Sequence, residues 1–320
     1  MKILVAGGAG YIGSVLVPKL IERGYEVDVV DLSWFGNHLP KSVNILKKEI
    51  IELEKKDLEG CDQVIFLGGL SNDPMALVSP AMNFVENGSA PAYLAYISKK
   101  MGVKRFIYAG SCSVYGYTVN QLYNETDPTN CAFPYGISKL QGEFACMQLN
   151  DDNFSVISLR QGTVSGYSPR MRLDLIVNTM FMNAVSVGVI HVNNPAIWRP
   201  VLAIQDAVSG YVRAVEAHDD ITGIFNIASG NFTVGEVADY VKSAVNKYLA
   251  IDAEIKIKHI EDYRNYKVSI EKITATLSFK PMNTIDHIVK ELADNLDKFN
   301  DFENDKYYNI RVFKDLISQQ

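Results

Sequence analysis

The sequence predicts an α/β fold in which helices cover both faces of a doubly wound parallel sheet, with a smaller mixed α/β lobe attached. Short, continuously apolar runs alternate with helical stretches through the first half of the chain, as is typical of parallel strands buried on both faces. After about Gly166 this rhythm loosens, which indicates a second lobe. The 320 residues are enough for two joined lobes.

The predicted elements follow from these runs and from apolar periodicity. We expect strands at Lys2–Ala6, Glu26–Asp31, Gln63–Leu67, Arg105–Ala109, Ser155–Arg160 and Gly223–Ala228. We expect helices at Ile12–Arg23, Ala81–Met101, Tyr135–Asn150, Asp206–His218, Val234–Leu249 and Thr284–Asn300. The sheet lobe is predicted to comprise residues 1–165 and about 200–228, and the smaller lobe about 166–199 and 229–320.

Composition excludes several classes of protein. The formal net charge of −6 is spread along the chain without the clustered basic residues that nucleic-acid binding needs. No run approaches the ~20 apolar residues of a membrane span. The four cysteines show no metal-type pairing. We expect a cytoplasmic protein with reduced thiols, no bound metal and neither nucleic acid nor membrane as a partner.

A glycine-rich segment joins the first predicted strand to the first predicted helix. Gly7, Gly10 and Gly13 follow the strand, and Tyr11 and Ile12 lie between the last two. Glycine lets the backbone turn tightly and approach a pyrophosphate, whose charge is bound by free N–H groups at a helix start. These five residues therefore predict a dinucleotide site of the Rossmann type.

An acidic residue at the end of the second strand indicates which dinucleotide is bound. Asp31 lies roughly 20 residues beyond the glycines, where a carboxylate accepts hydrogen bonds from the adenosine ribose. The same charge repels a 2′-phosphate. The sequence therefore predicts NAD rather than NADP.

A tyrosine and a lysine one helical turn apart predict redox chemistry. Tyr135 and Lys139 are spaced i, i+4, and Pro134 stands at a favourable first helical position. Tyrosine is a poor base at neutral pH unless positive charge lies close. The lysine ammonium and an oxidised nicotinamide both supply such charge, so Tyr135 could accept a hydroxyl proton as hydride leaves.

A serine precedes this pair at the carboxyl end of a central strand. Ser111 follows Arg105–Ala109 and so lies where ligands bind parallel sheets. With these motifs the chain resembles the extended short-chain dehydrogenase/reductase superfamily, in its NAD-dependent nucleotide-sugar epimerase and dehydratase branch. The resemblance covers nearly the whole length and is also carried by Gly68-Gly69-Leu70-Ser71-Asn72-Asp73-Pro74, Asn87, Leu159-Arg160, Trp198-Arg199-Pro200, Asp206 and Asp262-Tyr263-Arg264.

The resemblance implies a role for each of these segments. It implies a catalytic trio of Ser111, Tyr135 and Lys139. It implies that the cofactor contacts Leu67, Gly68, Gly69 and Asn87, together with Tyr135 and Lys139. It implies a nucleotide-diphosphate sugar as substrate, bound by Ser71, Ser113, Thr163, Arg199 and Arg264. Thr163 departs from the asparagine that similar epimerases often carry.

Two further arginines lie near the expected mouth of the cleft. Arg170 and Arg172 follow the loop after Arg160. Guanidinium groups there could bind phosphates or a sugar acid, or could lie on a solvated loop. We include both among the predicted substrate residues and leave the two interpretations open.

The residues after Ser111 bear on the reaction. Similar dehydratases carry an Asp-Glu pair there, whereas this chain has Cys112-Ser113, so 4,6-dehydration is disfavoured. Cys112 could be an acid or base with a shifted pKa or a buried packing residue. The prediction is hydride transfer at C4 through a 4-ketose, with 4-epimerisation favoured. A dehydrogenase or ketoreductase that releases or reduces the ketose is the alternative.

The resemblance also implies a homodimer and a role in polysaccharide precursor synthesis.

Overall fold

The computed structural model describes residues 1–258 and 264–318, in which strands alternate with helices. The strands are β1 (Lys2–Ala6), β2 (Glu26–Val30), β3 (Asn44–Leu46), β4 (Gln63–Phe66), β5 (Arg105–Ser111), β6 (Tyr117–Tyr123), β7 (Ser155–Gln161), β8 (Thr163–Ser165), β9 (Val189–Asn193), β10 (Trp198–Ala203), β11 (Gly223–Ile227), β12 (Gly230–Thr233), β13 (Glu254–Lys258) and β14 (Asn265–Val268). The helices are α1 (Gly13–Glu22), α2 (Asp73–Val78), α3 (Pro80–Phe84), α4 (Ala90–Lys100), α5 (Pro134–Met147), α6 (Ile176–Val187), α7 (Ile204–Glu216), α8 (Val234–Leu249), α9 (Glu271–Leu277), α10 (Ile285–Asp294) and α11 (Asn309–Ser318).

The central sheet confirms the predicted doubly wound α/β class. Within the described residues, seven strands pair in parallel in the order β11-β7-β5-β4-β1-β2-β3. The chain moves outward from β1 in one direction through β2 and β3, and in the other through β4, β5, β7 and β11. Such a reversal opens a crevice at the carboxyl ends of the strands, where ligands bind in sheets of this kind.

The sheet strands were predictable because their buried positions are almost continuously apolar. Buried side chains from both faces, such as Val5 and Ile65 on one and Phe106 on the other, are fully excluded from solvent. The six predicted strands agree with β1, β2, β4, β5, β7 and β11 to within two residues at each end. The three-residue edge strand β3 was not predicted, since its side chains are only half-buried or exposed.

A smaller lobe is built from helices and short strands. In the described ranges β8, β10 and β12 form one sheet, while β9 pairs with β13 and β6 with β14. Helices α6, α8 and α10 pack on one another around a second apolar core that includes Phe181, Val241 and Phe299. Two late segments return to the sheet lobe, because Phe279 packs into the core of the sheet and Phe313 packs beside Leu70.

The predicted helix Ala81–Met101 is interrupted in the structure. Helix α3 runs into a π-helical turn at Val85–Ser89 before α4 begins. The turn buries Asn87 against the sheet lobe, and such turns occur where a backbone must admit an extra residue. Among the described residues no helix is long and apolar enough to cross a membrane.

A buried ion pair fixes α5 to the sheet. The Arg160 Nη2 atom of β7 lies 2.6 Å from the Glu143 Oε1 atom of α5, and both side chains are at most 2% exposed. The Ser158 hydroxyl donates to the same carboxylate at 2.8 Å. Arg160 also donates to the hydroxyl of Tyr115 at 2.8 Å, which in turn donates to Asn226. This network joins α5, β7, β11 and the turn after β5.

We predict that Glu143→Ala lowers the free energy of unfolding by about 3–5 kcal/mol, because it leaves the Arg160 charge buried without its partner. Chemical denaturation measures the change. The control is Asp294→Ala, which removes an exposed i, i+4 pair with Lys290 and leaves the stability nearly unchanged. A loss for Glu143→Ala no larger than that of the control would contradict the prediction.

Candidate active site

A deep cleft lies at the carboxyl ends of the central strands, between the two lobes. Its volume of about 610 Å³ is in the range of small-molecule sites. The structure brings nearly all predicted site residues to its walls. They are Gly7, Gly10, Tyr11, Ile12, Gly13, Asp31, Leu67, Gly68, Gly69, Ser71, Ser111, Ser113, Tyr135, Lys139, Thr163, Arg170, Arg172, Arg199 and Arg264.

The glycine-rich turn has the shape that a dinucleotide requires. Gly7 has a left-handed φ of +79°, and a Cβ there would lie 2.5 Å from the backbone nitrogen of Gly68. At Gly10 a Cβ would meet only the Gly7 carbonyl oxygen, at 3.1 Å, and would otherwise occupy the cleft. The turn runs directly into α1, and the start of a helix favours an anion through its backbone N–H groups and its dipole. The backbone therefore leaves a cradle for a pyrophosphate.

Asp31 is held in place at the rim of this cradle. Its carboxylate accepts hydrogen bonds from the backbone nitrogen of Ala9 at 2.9 Å and from that of Ser33 at 2.7 Å. Burial raises the pKa of this carboxyl above its usual value, while those two hydrogen bonds and the Arg170 charge oppose the shift. Each carboxylate oxygen keeps a lone pair for a ribose hydroxyl. The residues present thus fit an NAD molecule.

Tyr11 connects the glycine turn to the smaller lobe. Its hydroxyl donates to the carbonyl oxygen of Gly166 at 2.6 Å and accepts from the Asn178 side chain at 3.1 Å. The Ser168 hydroxyl donates to the Tyr11 carbonyl oxygen at 2.7 Å. These contacts hold the start of α1 against the segment that carries Arg170 and Arg172.

Asn87, which we expected to bind the cofactor, lies behind the cleft wall instead. It is fully buried and donates to the carbonyl oxygen of Leu70 at 2.9 Å and to the side chain of Asn83 at 2.8 Å. Its side-chain oxygen would be 2.1 Å from a Cβ at Gly69 and has no hydrogen-bond partner among the described residues. Asn87 therefore supports the loop after β4 from below.

The catalytic candidates Ser111 and Tyr135 meet above β5. The Ser111 and Ser113 hydroxyls lie 2.8 Å apart, and Ser111 also forms a hydrogen bond with the Tyr135 hydroxyl. Burial raises the pKa of Tyr135 to about 12, while the Ser111 hydrogen bond and the Arg172 charge act in the opposite direction. The chain alone therefore keeps Tyr135 protonated, and the positive charge of an oxidised nicotinamide is needed to favour the phenolate.

Lys139 lies one turn further along α5 and is buried. Burial lowers the pKa of its ammonium to about 8, and the nearby Cys146 and Glu143 oppose this shift. The ammonium lies 4.9 Å from the centre of the Tyr108 ring, a distance typical of a cation–π contact. A lysine held this way is largely charged at neutral pH and loses its charge in mildly alkaline solution.

Cys112 takes the packing role of the two that the sequence left open. It is buried, and its thiol donates to the Arg160 carbonyl oxygen at 3.1 Å. Burial raises the pKa of this thiol well above its ordinary value, which makes it a poor acid or base at neutral pH. Ser113, in contrast, lines the cleft.

Two of the predicted arginines are paired with carboxylates across the cleft wall. The Arg172 Nε atom lies 2.8 Å from the Asp174 Oδ1 atom, and the Arg264 Nη1 atom lies 2.6 Å from the Asp73 Oδ2 atom. Arg199 donates to the backbone carbonyls of Trp198 and Arg264. A guanidinium presents its N–H donors in a planar fork, a geometry that suits phosphate oxygens.

Arg170 lies in the cofactor half of the cleft, which is the side lined by Asp31 and the glycine turn. From the sequence we predicted it instead among the substrate-binding residues. Its guanidinium carbon is 3.6 Å from the centre of the Phe35 ring, in the loop just after Asp31. The side chain is only 2% exposed, so the interpretation as a solvated loop is wrong. The sequence could not show this, because Arg170 and Phe35 are far apart in the chain.

Several cleft residues were missed by the sequence reasoning. Asp73 and Asn309 enter the site only through distant partners, and sequence spacing gives no signal for such contacts. Glu49 follows the short strand β3 and lines the cleft with Glu86. Burial and the Glu49 charge raise the pKa of Glu86 to about 7. The position of Glu49 just after a third strand could have indicated that it lines the cleft, but β3 itself was not predicted. Of the late Asp262-Tyr263-Arg264 segment, Asp262 and Tyr263 lie outside the described residues.

The fold and this cleft define a dinucleotide-dependent oxidoreductase with a tyrosine–lysine pair beside the cofactor site. Residues 3–228 match the NAD dependent epimerase/dehydratase family. The chain belongs to that family, which confirms the predicted membership and NAD as the cofactor.

The relatives act on nucleotide sugars. The chain is 25% identical to UDP-glucose 4-epimerase 2 of Arabidopsis thaliana, covering 91% of this chain and 93% of that protein. It is 27% identical to UDP-glucuronic acid decarboxylase 1 of the same plant, covering 88% and 66%. The crystal structure of UDP-glucose 4-epimerase from Thermotoga maritima with UDP-glucose superposes with a TM-score of 0.82 at 25% identity, covering 93% of this chain and 99% of that one.

We predict that Asp31→Asn weakens NAD binding about tenfold, because a neutral amide loses charge-assisted hydrogen bonds to the ribose. NADP binding strengthens at the same time, since the charge that repels a 2′-phosphate is gone. Equilibrium titration with each dinucleotide measures both constants. Asp28→Asn is the matched control, because Asp28 on β2 lies outside the cleft and pairs with Lys2 of β1. An unchanged ratio of the two affinities would contradict the role of Asp31.

We predict a falling limb near pH 8 in the rate of substrate oxidation, because the Lys139 ammonium loses its proton as pH rises through its lowered pKa. Lys139→Met removes this limb and lowers the rate at pH 7 about a hundredfold. Single-turnover nicotinamide absorbance across pH measures both effects. Tyr135→Phe, in comparison, lowers the rate at every pH and leaves NAD binding intact. A limb near pH 8 that persists in Lys139→Met would disprove the assignment.

Proposed function

We propose that this chain is an NAD-dependent 4-epimerase of a nucleotide-diphosphate sugar. The observation that carries the proposal is the convergence of Ser111, Tyr135 and Lys139 beside the dinucleotide cradle, with Arg199 and Arg264 on the same cleft. Hydride acceptor, proton acceptor and phosphate ligands are then within one site. The named relatives, which include UDP-glucose 4-epimerases, support this proposal.

The chain's own residues carry the proton chemistry of this mechanism. Bound NAD supplies the hydride acceptor and the positive charge of its nicotinamide. The Tyr135 phenolate accepts the proton of the sugar C4 hydroxyl, and the Ser111 hydroxyl donates a hydrogen bond to that oxygen. The buried Lys139 charge stabilises the phenolate. After the ketose has turned its other face, Tyr135 would give the proton back to the C4 oxygen.

The residues around Ser111 favour epimerisation over dehydration. Loss of water from C5 and C6 needs an acid and a base beside the sugar, and Cys112 and Ser113 supply neither. Asp73 is the carboxylate whose charge acts on Tyr135, and it is paired with Arg264. A carboxylate engaged by a guanidinium suits substrate binding better than proton removal from carbon.

The substrate is proposed to carry a diphosphate bound by arginines. Arg199, Arg264 and the Arg172–Asp174 pair place guanidinium groups along the wall formed by the smaller lobe, and planar guanidinium forks suit phosphate oxygens. Solved neighbours in complex with UDP-glucose or UDP-glucuronic acid make a UDP-sugar the first substrate to test. Thr163, with its short hydroxyl side chain, lines the same cleft.

We also propose a homodimer and the two-lobe division given above. The neighbouring helices α4 and α5 pack on each other and carry exposed aromatic residues, with Tyr96 and Phe144 each 50% exposed. Large apolar side chains exposed on adjacent helices suit association with a second copy.

For the proposed two-lobe division, the separate apolar cores of the sheet and of α6, α8 and α10 are the supporting observation.

The decisive experiment incubates the NAD-loaded protein with UDP-glucose, UDP-galactose, UDP-N-acetylglucosamine and UDP-glucuronic acid in deuterated water. We predict interconversion of 4-epimers for at least one sugar, without deuterium at carbon, because the hydride returns from the cofactor. Chromatography and mass spectrometry of the products measure this outcome.

Three results would contradict the proposal. Deuterium at C3 or C5 would indicate enolisation, stoichiometric NADH with a released ketose would indicate a dehydrogenase, and carbon dioxide from UDP-glucuronic acid would indicate a decarboxylase. Tyr135→Phe is the control for each reaction, since it retains the fold but lacks the proton acceptor.

A further inference from the structure

The first residue of the last helix forms part of the wall of the cleft. Asn309 begins α11, is only 6% exposed and lines the cleft. Its side-chain nitrogen donates to the Ser71 hydroxyl at 2.6 Å. Its side-chain oxygen accepts from Arg170 Nη2. One amide therefore joins the loop after β4 to the loop after β8, and it comes from a segment beyond the residues that match the family model.

Arg170 is a buried cation that has no carboxylate hydrogen-bonded to it in the described part of the chain. It donates to Asn309 and to the Met171 carbonyl oxygen, and its Nε atom is buried without a hydrogen-bond partner there. The ring of Phe35 covers one face of its guanidinium. Arg172, the other arginine of this loop, is by contrast hydrogen-bonded to Asp174. The charges of Asp174 and Asp31 also act on Arg170, but without a hydrogen bond to it.

The Asn309 side chain is neutral, whereas the Arg170 guanidinium is charged. Its amide oxygen accepts a hydrogen bond from the guanidinium, but unlike a carboxylate it adds no negative charge. A buried positive charge is costly unless an anion compensates it. Arg170 lies in the cofactor half of the cleft, beside the loop after Asp31. In that half, the negatively charged group that a dinucleotide brings is its pyrophosphate.

We infer that Asn309 is a positioning residue that holds Arg170 in place, still charged, for the NAD pyrophosphate. The inference rests on the proposed function for its ligand and adds a role for the C-terminal helix. Helix α11 is itself well anchored, because Phe313 is buried against Leu70 and Met75 and its ring lies 6.1 Å from that of Trp34. The anchored helix presents Asn309 to Arg170 at a fixed place.

The test is NAD binding to the full chain in the absence of any sugar. Asn309→Asp keeps the size and the acceptor oxygen but pairs Arg170 with a negative charge. We predict that this variant melts at or above the temperature of the unaltered protein, yet binds NAD about tenfold more weakly. Asn304→Asp is the matched control. It makes the same change in the same segment, at the cap of a short 3₁₀ turn, and leaves NAD affinity unchanged.

A second comparison keeps the inference testable if Asn309→Asp folds poorly. Arg170→Met should weaken NAD binding at least tenfold, and adding Asn309→Ala to it should weaken binding no further, because both changes act through one guanidinium. Additive effects, or wild-type NAD affinity in Asn309→Asp, would overturn the inference. The proposed epimerase activity is not measured in these titrations, so its failure would be seen separately.

Discussion

The structure depends on the buried ion pair between Glu143 and Arg160. Tyr135, Lys139 and Glu143 follow one another at four-residue intervals on α5, so they share one face of the helix. The lower end of that face is fixed to β7 by the ion pair, and the upper end reaches the cleft. A rotation or slide of α5 would separate two charges in the protein interior, which costs several kcal/mol. The position of Tyr135, the proposed proton acceptor, is therefore set by a charge pair two turns away.

Close packing of backbones supports the same arrangement. At Gly142 a Cβ would lie 2.2 Å from the Asn87 carbonyl oxygen, so α5 and the π-helical turn approach more closely than side chains would allow. The Tyr108 hydroxyl donates to the carbonyl oxygens of both Asn87 and Lys139 at 3.1 Å. The unusual turn after α3 is thus part of the platform that supports α5, and this explains why Asn87 lies behind the cleft wall.

Sequence alone predicted the central sheet, the glycine turn and the tyrosine–lysine pair, since each depends on local spacing or on continuous burial. It failed where a residue's role depends on a distant partner. Arg172 and Arg264 look alike in sequence to Arg170, yet the first two face carboxylates at Asp174 and Asp73, while Arg170 faces an amide of the last helix. The short strands of the smaller lobe were missed for a related reason. They are three to seven residues long, and their pairing partners come from separate parts of the chain.

The different partners of the arginines bear on the course of the reaction. A 4-epimerase must hold the reduced cofactor and the ketose together until hydride returns, so the lifetime of the bound cofactor sets the outcome. Paired arginines such as Arg172 and Arg264 are already half-neutralised and suit a substrate that must enter and leave at each turnover. The buried charge at Arg170, which donates to an amide and a carbonyl oxygen, attracts an anion strongly because water screens it little. The chain thus places an arginine without a carboxylate hydrogen bond, among the described residues, on the side of the ligand that has to stay.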